Sequence, residues 1–124
     1  LYYIAARLLD ESGLSPRKAP ASDLLHQILI YVQEHYLEEL TLQDLAVRLG
    51  YNRMYISRFI NSHLNLSFTD LVNQHRINYG AHLLKTTDTP VSDIAFACGY
   101  NSLRSFNRCF KEIHHMTPRE YRSH

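Results

Sequence analysis

The stretch that decides the fold is Asp44-Leu45-Ala46-Val47-Arg48-Leu49-Gly50-Tyr51-Asn52. Forty-nine residues later the chain reads Asp93-Ile94-Ala95-Phe96-Ala97-Cys98-Gly99-Tyr100-Asn101. Asp, Ala, Gly, Tyr and Asn recur at the same places, and Leu45/Ile94 keeps its apolar character. The match continues with one residue inserted in the second copy. Ile56-Ser57-Arg58-Phe59-Ile60 aligns with Phe106-Asn107-Arg108-Cys109-Phe110 at an offset of fifty. A chain of 124 residues that repeats so much of itself is built from two copies of one unit.

Each copy reads as a short amphipathic helix, a Gly-centred break and a second helix. Thr41 is an N-cap, and Asp44 three residues on extends it to a capping-box pattern. Leu42, Leu45, Ala46 and Leu49 fall at i, i+3, i+4 and i+7, on one helical face. Gly50 follows the last of them, where left-handed backbone geometry commonly ends a helix. Asn52 caps the next helix, whose buried side is Ile56, Phe59 and Ile60. Small Ala46 lets the two helices approach, and Ile56 plugs the angle between them. This is the spacing of a helix-turn-helix, whose second helix enters the major groove of DNA. The second copy repeats it with Val91, Ile94, Ala95 and Cys98 inward, Asn101 or Ser102 as cap, and Phe106, Cys109 and Phe110 buried.

The remaining segments assemble around these units. Leu25, Ile28, Leu29, Val32 and Tyr36 form a clean helical stripe ahead of the first unit. Ser67 with Asp70 opens a long helix that ends near Thr86. Phe68, Leu71, Val72, Tyr79, Leu83 and Leu84 give it an apolar surface wide enough to touch both units. At 1.5 Å per residue it spans roughly 27 Å, and successive major-groove entries on one face of B-DNA are ~34 Å apart. Thr117-Pro118-Arg119-Glu120 is a capping box with Pro at N1, opening a last short helix with Tyr121. Upstream, Tyr3, Ile4, Ala5, Leu8 and Leu9 read as the end of a helix stopped by Gly13. Residues 15–22 read as a linker. The expected boundaries are an upstream or linker segment at 1–21 and a DNA-binding domain at 22–124. Within it the first helix-turn-helix spans about 24–66, the linking helix about 68–86 and the second helix-turn-helix about 90–122. The expected fold is all-α, with two helix-turn-helix subdomains joined by a long central helix, about seven helices, preceded by an extra N-terminal helical segment.

Composition bounds the function. The hydrophobic share of 45% supports a core, and no run approaches the ~20 apolar residues of a membrane span. Cys98 and Cys109 lie on apolar helix faces and read as buried, reduced thiols, which suits a cytoplasmic protein. Net charge is only +1, yet it is polarised. From Gly99 to His124 stand Arg104, Arg108, Lys111, Arg119 and Arg122 against Glu112 and Glu120. From Glu34 to Asp44 stand four acids and no Lys or Arg. A basic side beside the second helices is the polarity of a DNA reader. Among eight His no zinc-finger spacing occurs. Neither a nucleophile–base constellation nor a glycine-rich phosphate loop is present, so neither enzyme nor cofactor is expected.

The layout resembles the C-terminal DNA-binding domain of AraC-type (AraC/XylS) bacterial transcription regulators. The residues that carry it are Leu42-x-x-Leu45-Ala46, Gly50-Tyr51, Ile56-Ser57-Arg58-x-Ile60, Arg76-Ile77 and Leu83-Leu84. The most specific run is Val91-x-Asp93-Ile94-Ala95-x-x-Cys98-Gly99-Tyr100. It is followed by Ser105-Phe106-Asn107-Arg108-x-Phe110-Lys111 and by Thr117-Pro118-x-x-Tyr121-Arg122. The resemblance implies binding of asymmetric operators through two successive major grooves and control of transcription, usually activation through RNA polymerase. A small-molecule effector would act through an upstream domain. The chain departs from the pattern at His115 and Asn65, where the family favours Gly, at Gly80, where it favours Ala, and at Asn61, where a basic residue is common.

The exposed sides of the two second helices then nominate Arg53, Met54, Tyr55, Ser57 and Arg58, with Asn61 beyond them. In the second unit they nominate Leu103, Arg104, Ser105, Asn107, Arg108 and Lys111. Matched to the family's motif, Met54, Ser57, Arg58, Leu103, Arg104, Asn107 and Arg108 face the groove. Arg can bond guanine O6 and N7, Asn adenine N6 and N7, and Met can meet a thymine methyl. Ser67 and Thr117 stand where helix N-terminal N–H groups could meet phosphates or simply be capped. Two rival readings remain for the whole: a helical-repeat module that binds protein, and the DNA-binding part of a recombinase-type protein.

Overall fold

A computed structural model describes residues 21–124. The expected N-terminal helical segment and the start of the linker lie outside the described residues. Seven helices follow in order among those described: α1 Ala21–His35, α2 Leu42–Leu49, α3 Arg53–Leu64, α4 Phe68–Thr86, α5 Val91–Ala97, α6 Leu103–His114 and α7 Pro118–Ser123. The described residues form no strand.

Local sequence accounts for the helix ends. The Thr41 hydroxyl accepts the Asp44 N–H at 3.0 Å, the hydroxyl half of the expected box. Asn52 Oδ1 accepts the N–H groups of Met54 and Tyr55. Ser102, rather than Asn101, caps α6 through the Ser105 N–H. Both halves of the capping box form at Ser67/Asp70 and Thr117/Glu120. At the breaks, Gly50 and Gly99 have φ of +79° and +102°. Behind them the Tyr51 N–H returns to Ala46 O, and the Tyr100 N–H to Ala95 O. That six-to-one closure is why both copies of the repeat turn the same way. Asn65 and His115 adopt the left-handed conformation at the ends of α3 and α6, with φ of 57° and 63°.

Two cores result. Leu24, Ile28, Val32, Leu45, Ala46, Ile56, Phe59 and Ile60 are buried together with Phe68, Leu71 and Val72 from the first half of α4. In α1 the most deeply buried stripe is thus Leu24, Ile28 and Val32, with Leu25, Leu29 and Tyr36 flanking it. Ile94, Ala95, Cys98, Tyr100, Phe106, Cys109 and Phe110 are buried with Ile77, Ala81 and Leu84 from the second half. The closely packed helix pairs lie either within one unit or against α4. Its 19 residues rise roughly 28 Å, so one helix serves both cores and holds α3 apart from α6.

Gly80 proves to be a packing position. A Cβ there would lie 2.8 Å from Phe106 Cε1 and 3.4 Å from Cys98 Sγ. Glycine is a poor helix former, yet its missing Cβ here is a condition for seating the Phe106 ring.

Candidate nucleic-acid interface

The reading helices put most of the nominated side chains on the surface. Arg53, Met54, Tyr55 and Arg58 on α3 are exposed, as are Leu103, Arg104, Asn107, Arg108 and Lys111 on α6. Met54 is 60% exposed and Leu103 38%, large apolar groups left open on helices whose other faces are saturated. Ser57 and Ser105 are half-buried. Ser105 is occupied by the cap: its N–H bonds Ser102 Oγ, and its hydroxyl oxygen receives the Ser102 hydroxyl at 3.1 Å. Tyr55 stacks on Tyr51 with ring centroids 5.4 Å apart, which stiffens an otherwise open ring. Asn61 is turned back to its own helix, donating to Ser57 O at 2.9 Å. Arg108 reaches Glu112 at 3.9 Å, an exposed i,i+4 pair worth little in water.

The two units build the same groove twice. In the second, Leu103, Asn107, Arg108 and Lys111 of α6 face Val91 at the start of α5 and Thr117, Pro118 and Arg119 at the start of α7. In the first, Ser57 of α3 faces Leu42 at the start of α2 and Ser67, Phe68 and Thr69 at the start of α4. Each groove thus pairs a reading helix with capped helix N-termini, whose dipole favours anions. At α7 the Thr117 N–H and hydroxyl hold the Glu120 carboxyl below the usual carboxylate range, so the cap is formed in its charged state.

Arg119 was not among the residues nominated by sequence, yet it lines the second groove beside Arg108 and Lys111. The signal was available: Arg119 lies fifty residues after Thr69, and Thr117 and Pro118 lie fifty after Ser67 and Phe68. Arg122 moves the other way. Its Nε donates to Leu84 O at 3.1 Å, and its Nη2 to Thr87 O and to Thr89 O at 2.7 Å. Part of the C-terminal positive charge therefore ties the α4–α5 linker. Arg104, Arg108, Lys111 and Arg119 are exposed.

Neither cysteine belongs to this surface. Cys98 and Cys109 are free and buried, and burial pushes the Cys98 thiol up to about 12. That leaves it protonated and a poor nucleophile.

A pair of helix-turn-helix units on one central helix, each with a reading helix exposed beside anion-favouring helix ends, defines a double helix-turn-helix protein. The helix-turn-helix domain family matches residues 45–124. An uncharacterized HTH-type transcriptional regulator of Staphylococcus aureus is 34% identical over 100 residues, 81% of this chain and 13% of its own length. The chain therefore spans a small part of the curated relatives it matches first. The C-terminal domain of AraT, a response regulator from Geobacillus stearothermophilus, superposes with a TM-score of 0.78 at 31% identity, covering 85% of this chain and 88% of that one. The DNA-binding domain of AdpA, solved in complex with a target DNA, shares the fold, with a TM-score of 0.68 at 22% identity, over 84% and 90% of the two chains. The chain belongs to the AraC/XylS-type helix-turn-helix family. The family is one of DNA-binding transcription regulators. Among the described residues no helix is long and apolar enough to cross a membrane.

Proposed function

We propose that this chain binds double-stranded DNA of defined, asymmetric sequence by laying α3 and α6 in two successive major grooves, and so regulates transcription. The observation that carries this reading is the recurrence of one groove in both units, each pairing a reading helix with helix N-termini. A protein-binding repeat has no need of a reading helix grouped twice with helix N-termini, with cations added in the second groove; a phosphate backbone does.

Roles follow from position and chemistry. Arg104 and Asn107 supply most direct readout in the second unit, through guanine and adenine edges. Arg58 and Arg108 hold phosphates, joined by Lys111, Arg119 and Arg53. Met54 and Leu103 offer apolar contact to thymine methyls, Ser57 lines the first groove, and Tyr55 presents its exposed ring beside Met54. Ser105 serves mainly through the cap that starts α6. The two units are unequal. Where the second has Arg104, Arg108, Lys111 and Arg119, the first has Met54, Arg58, Asn61 and Thr69 at an offset of fifty. The second unit thus neutralises most of the phosphates.

The DNA-binding domain runs over 22–124, with 1–21 the end of an upstream domain or a linker segment; a small-molecule effector acts only through such an upstream domain. The regulator works in the cytoplasm as an activator, through RNA polymerase. Selecting bound sequences from a random duplex pool tests the reading. Two determinants about one helical turn apart support it. A single determinant, or binding with no salt dependence, defeats it.

A further inference from the structure

The two units are joined by α4, an uninterrupted helix of 19 residues. One further joint lies at its middle, between Val72 of the first core and Ile77 of the second. Arg76 is half-buried there. Its Nε donates to Tyr36 O at 2.6 Å and its Nη2 to Glu38 O at 2.8 Å, both in the α1–α2 linker of the first unit. The same guanidinium lies over the Tyr100 ring of the second unit, 5.6 Å from its centroid. The Tyr100 hydroxyl returns to α4 by donating to Asn73 Oδ1 at 2.7 Å. Gly99 lets this happen: a Cβ there would stand 2.9 Å from Arg76 Nε and 3.3 Å from Tyr36 O. Three segments from both units therefore meet on one planar cation.

Arg122 makes the same kind of clasp, Nε and Nη2 on the carbonyls of the linker before α5, but its donors stay within the second unit and α4. Arg76 reaches across. A guanidinium suits this because its fork of donors fixes direction as well as distance.

We propose that Arg76, with Asn73 and Tyr100, is the joint that fixes the angle between α3 and α6, and so determines which spacing of the two DNA determinants the protein accepts. Arg76 is a positioning residue; it acts on DNA through the two reading helices. This inference rests on the reading that both units engage DNA. One inserted base pair moves the second determinant by roughly 3.4 Å and about 34° around the duplex. A locked joint cannot follow that shift, and a loosened one can.

The test uses the operator selected by the wild-type chain, with the natural spacing, with one base pair inserted or removed, and with either determinant scrambled. Affinities are measured by titration at fixed salt for the wild type, Tyr100→Phe, Asn73→Leu, Asn73→Asp and Arg76→Ala. The wild type is expected to lose about tenfold or more on a changed spacing, as for a mismatched site. Tyr100→Phe, Asn73→Leu and Arg76→Ala should lose less than about threefold on that change, while binding each single-determinant duplex within about twofold of wild type. Asn73→Asp keeps an acceptor for Tyr100 and should restore the wild-type discrimination. Should Arg76→Ala not fold, the Tyr100 and Asn73 variants decide. Retained discrimination in the folded variants overturns the inference, and so does an equal loss on every duplex. If the wild type ignores spacing yet loses affinity when either determinant is scrambled, the joint is overturned and the two-unit reading stands; if scrambling one determinant costs nothing, the two-unit reading fails, and the joint with it.

Discussion

Gly80→Ala sets helix propensity directly against packing. In an exposed helix interior the change is stabilising by about 1 kcal/mol. Gly80 is buried within α4, and the new Cβ would lie 2.8 Å from Phe106 Cε1 and 3.1 Å from Cζ. Carbon atoms pack best at ~3.5–4.0 Å, so the ring must retreat by about 0.7 Å. It has no open side. Phe106 is fully buried, with Tyr100 and Phe110 ring centroids at 5.8 Å and 5.7 Å. Overpacking of this kind costs typically 1–3 kcal/mol, so a net destabilisation of about 1 kcal/mol is expected after the propensity gain. Urea unfolding followed by circular dichroism reads it as a lower midpoint at unchanged slope. Phe106→Leu shortens the ring's reach, so the double variant should be more stable than the two single losses predict, by about 1 kcal/mol. Since α6 carries Arg104 and Asn107 opposite Phe106, operator affinity should fall together with stability. A raised urea midpoint for Gly80→Ala would refute the reasoning, because the ring would then not fill that space.

His115→Gly should stabilise by about 1 kcal/mol, because left-handed backbone costs a side-chain-bearing residue about 1–2 kcal/mol and glycine little; thermal melting reads it as a rise of roughly 4–8 °C. Gly50→Asn should cost only about 1 kcal/mol, from left-handed strain at φ +79° alone, since nothing lies within 4 Å of its Cβ position. Gly99→Asn should cost about 2 kcal/mol more, from strain at φ +102° and collision with Arg76; urea midpoints of the pair check this. His114 packs between Phe110 and Tyr121, with Nε2 buried and unbonded. Burial, and then His115, lower its pKa from the ordinary 6.5. The unfolded chain therefore takes up the proton first, so stability is full above that value and declines as pH falls through and below it. His114→Phe should flatten this part of the pH–stability curve. Arg104→Ala should weaken operator binding by about 1–3 kcal/mol and random-duplex binding far less; equal losses would reassign Arg104 to phosphate.

Much of this molecule is legible along the chain because its information is local. The caps at Thr41, Asn52, Ser67 and Thr117 lie within three residues of the N–H groups they satisfy. The turns at Gly50 and Gly99 depend on their own φ. The second copy of each confirms the first, and the exposed sides of α3 and α6 follow once their buried sides are known. Some local choices still needed coordinates: Ser102 over Asn101 as the cap, and Leu24 over Leu25 as the deepest residue of α1.

What the chain could not disclose was which charged and small residues act at a distance. Arg122 counts as surface charge in the sequence and is spent on three carbonyls at Leu84, Thr87 and Thr89. Gly80 looks like a weak point of a helix and is the seat of a ring twenty-six residues away. Arg76 stands out in the sequence only as part of the family's pattern, with no partner named, and it meets the first unit's linker and the second unit's turn together. Helices, caps and turns are written into the sequence because their partners sit a few residues apart. The angle between the two reading helices was decided only by folding, because it depends on contacts between residues that no local rule relates.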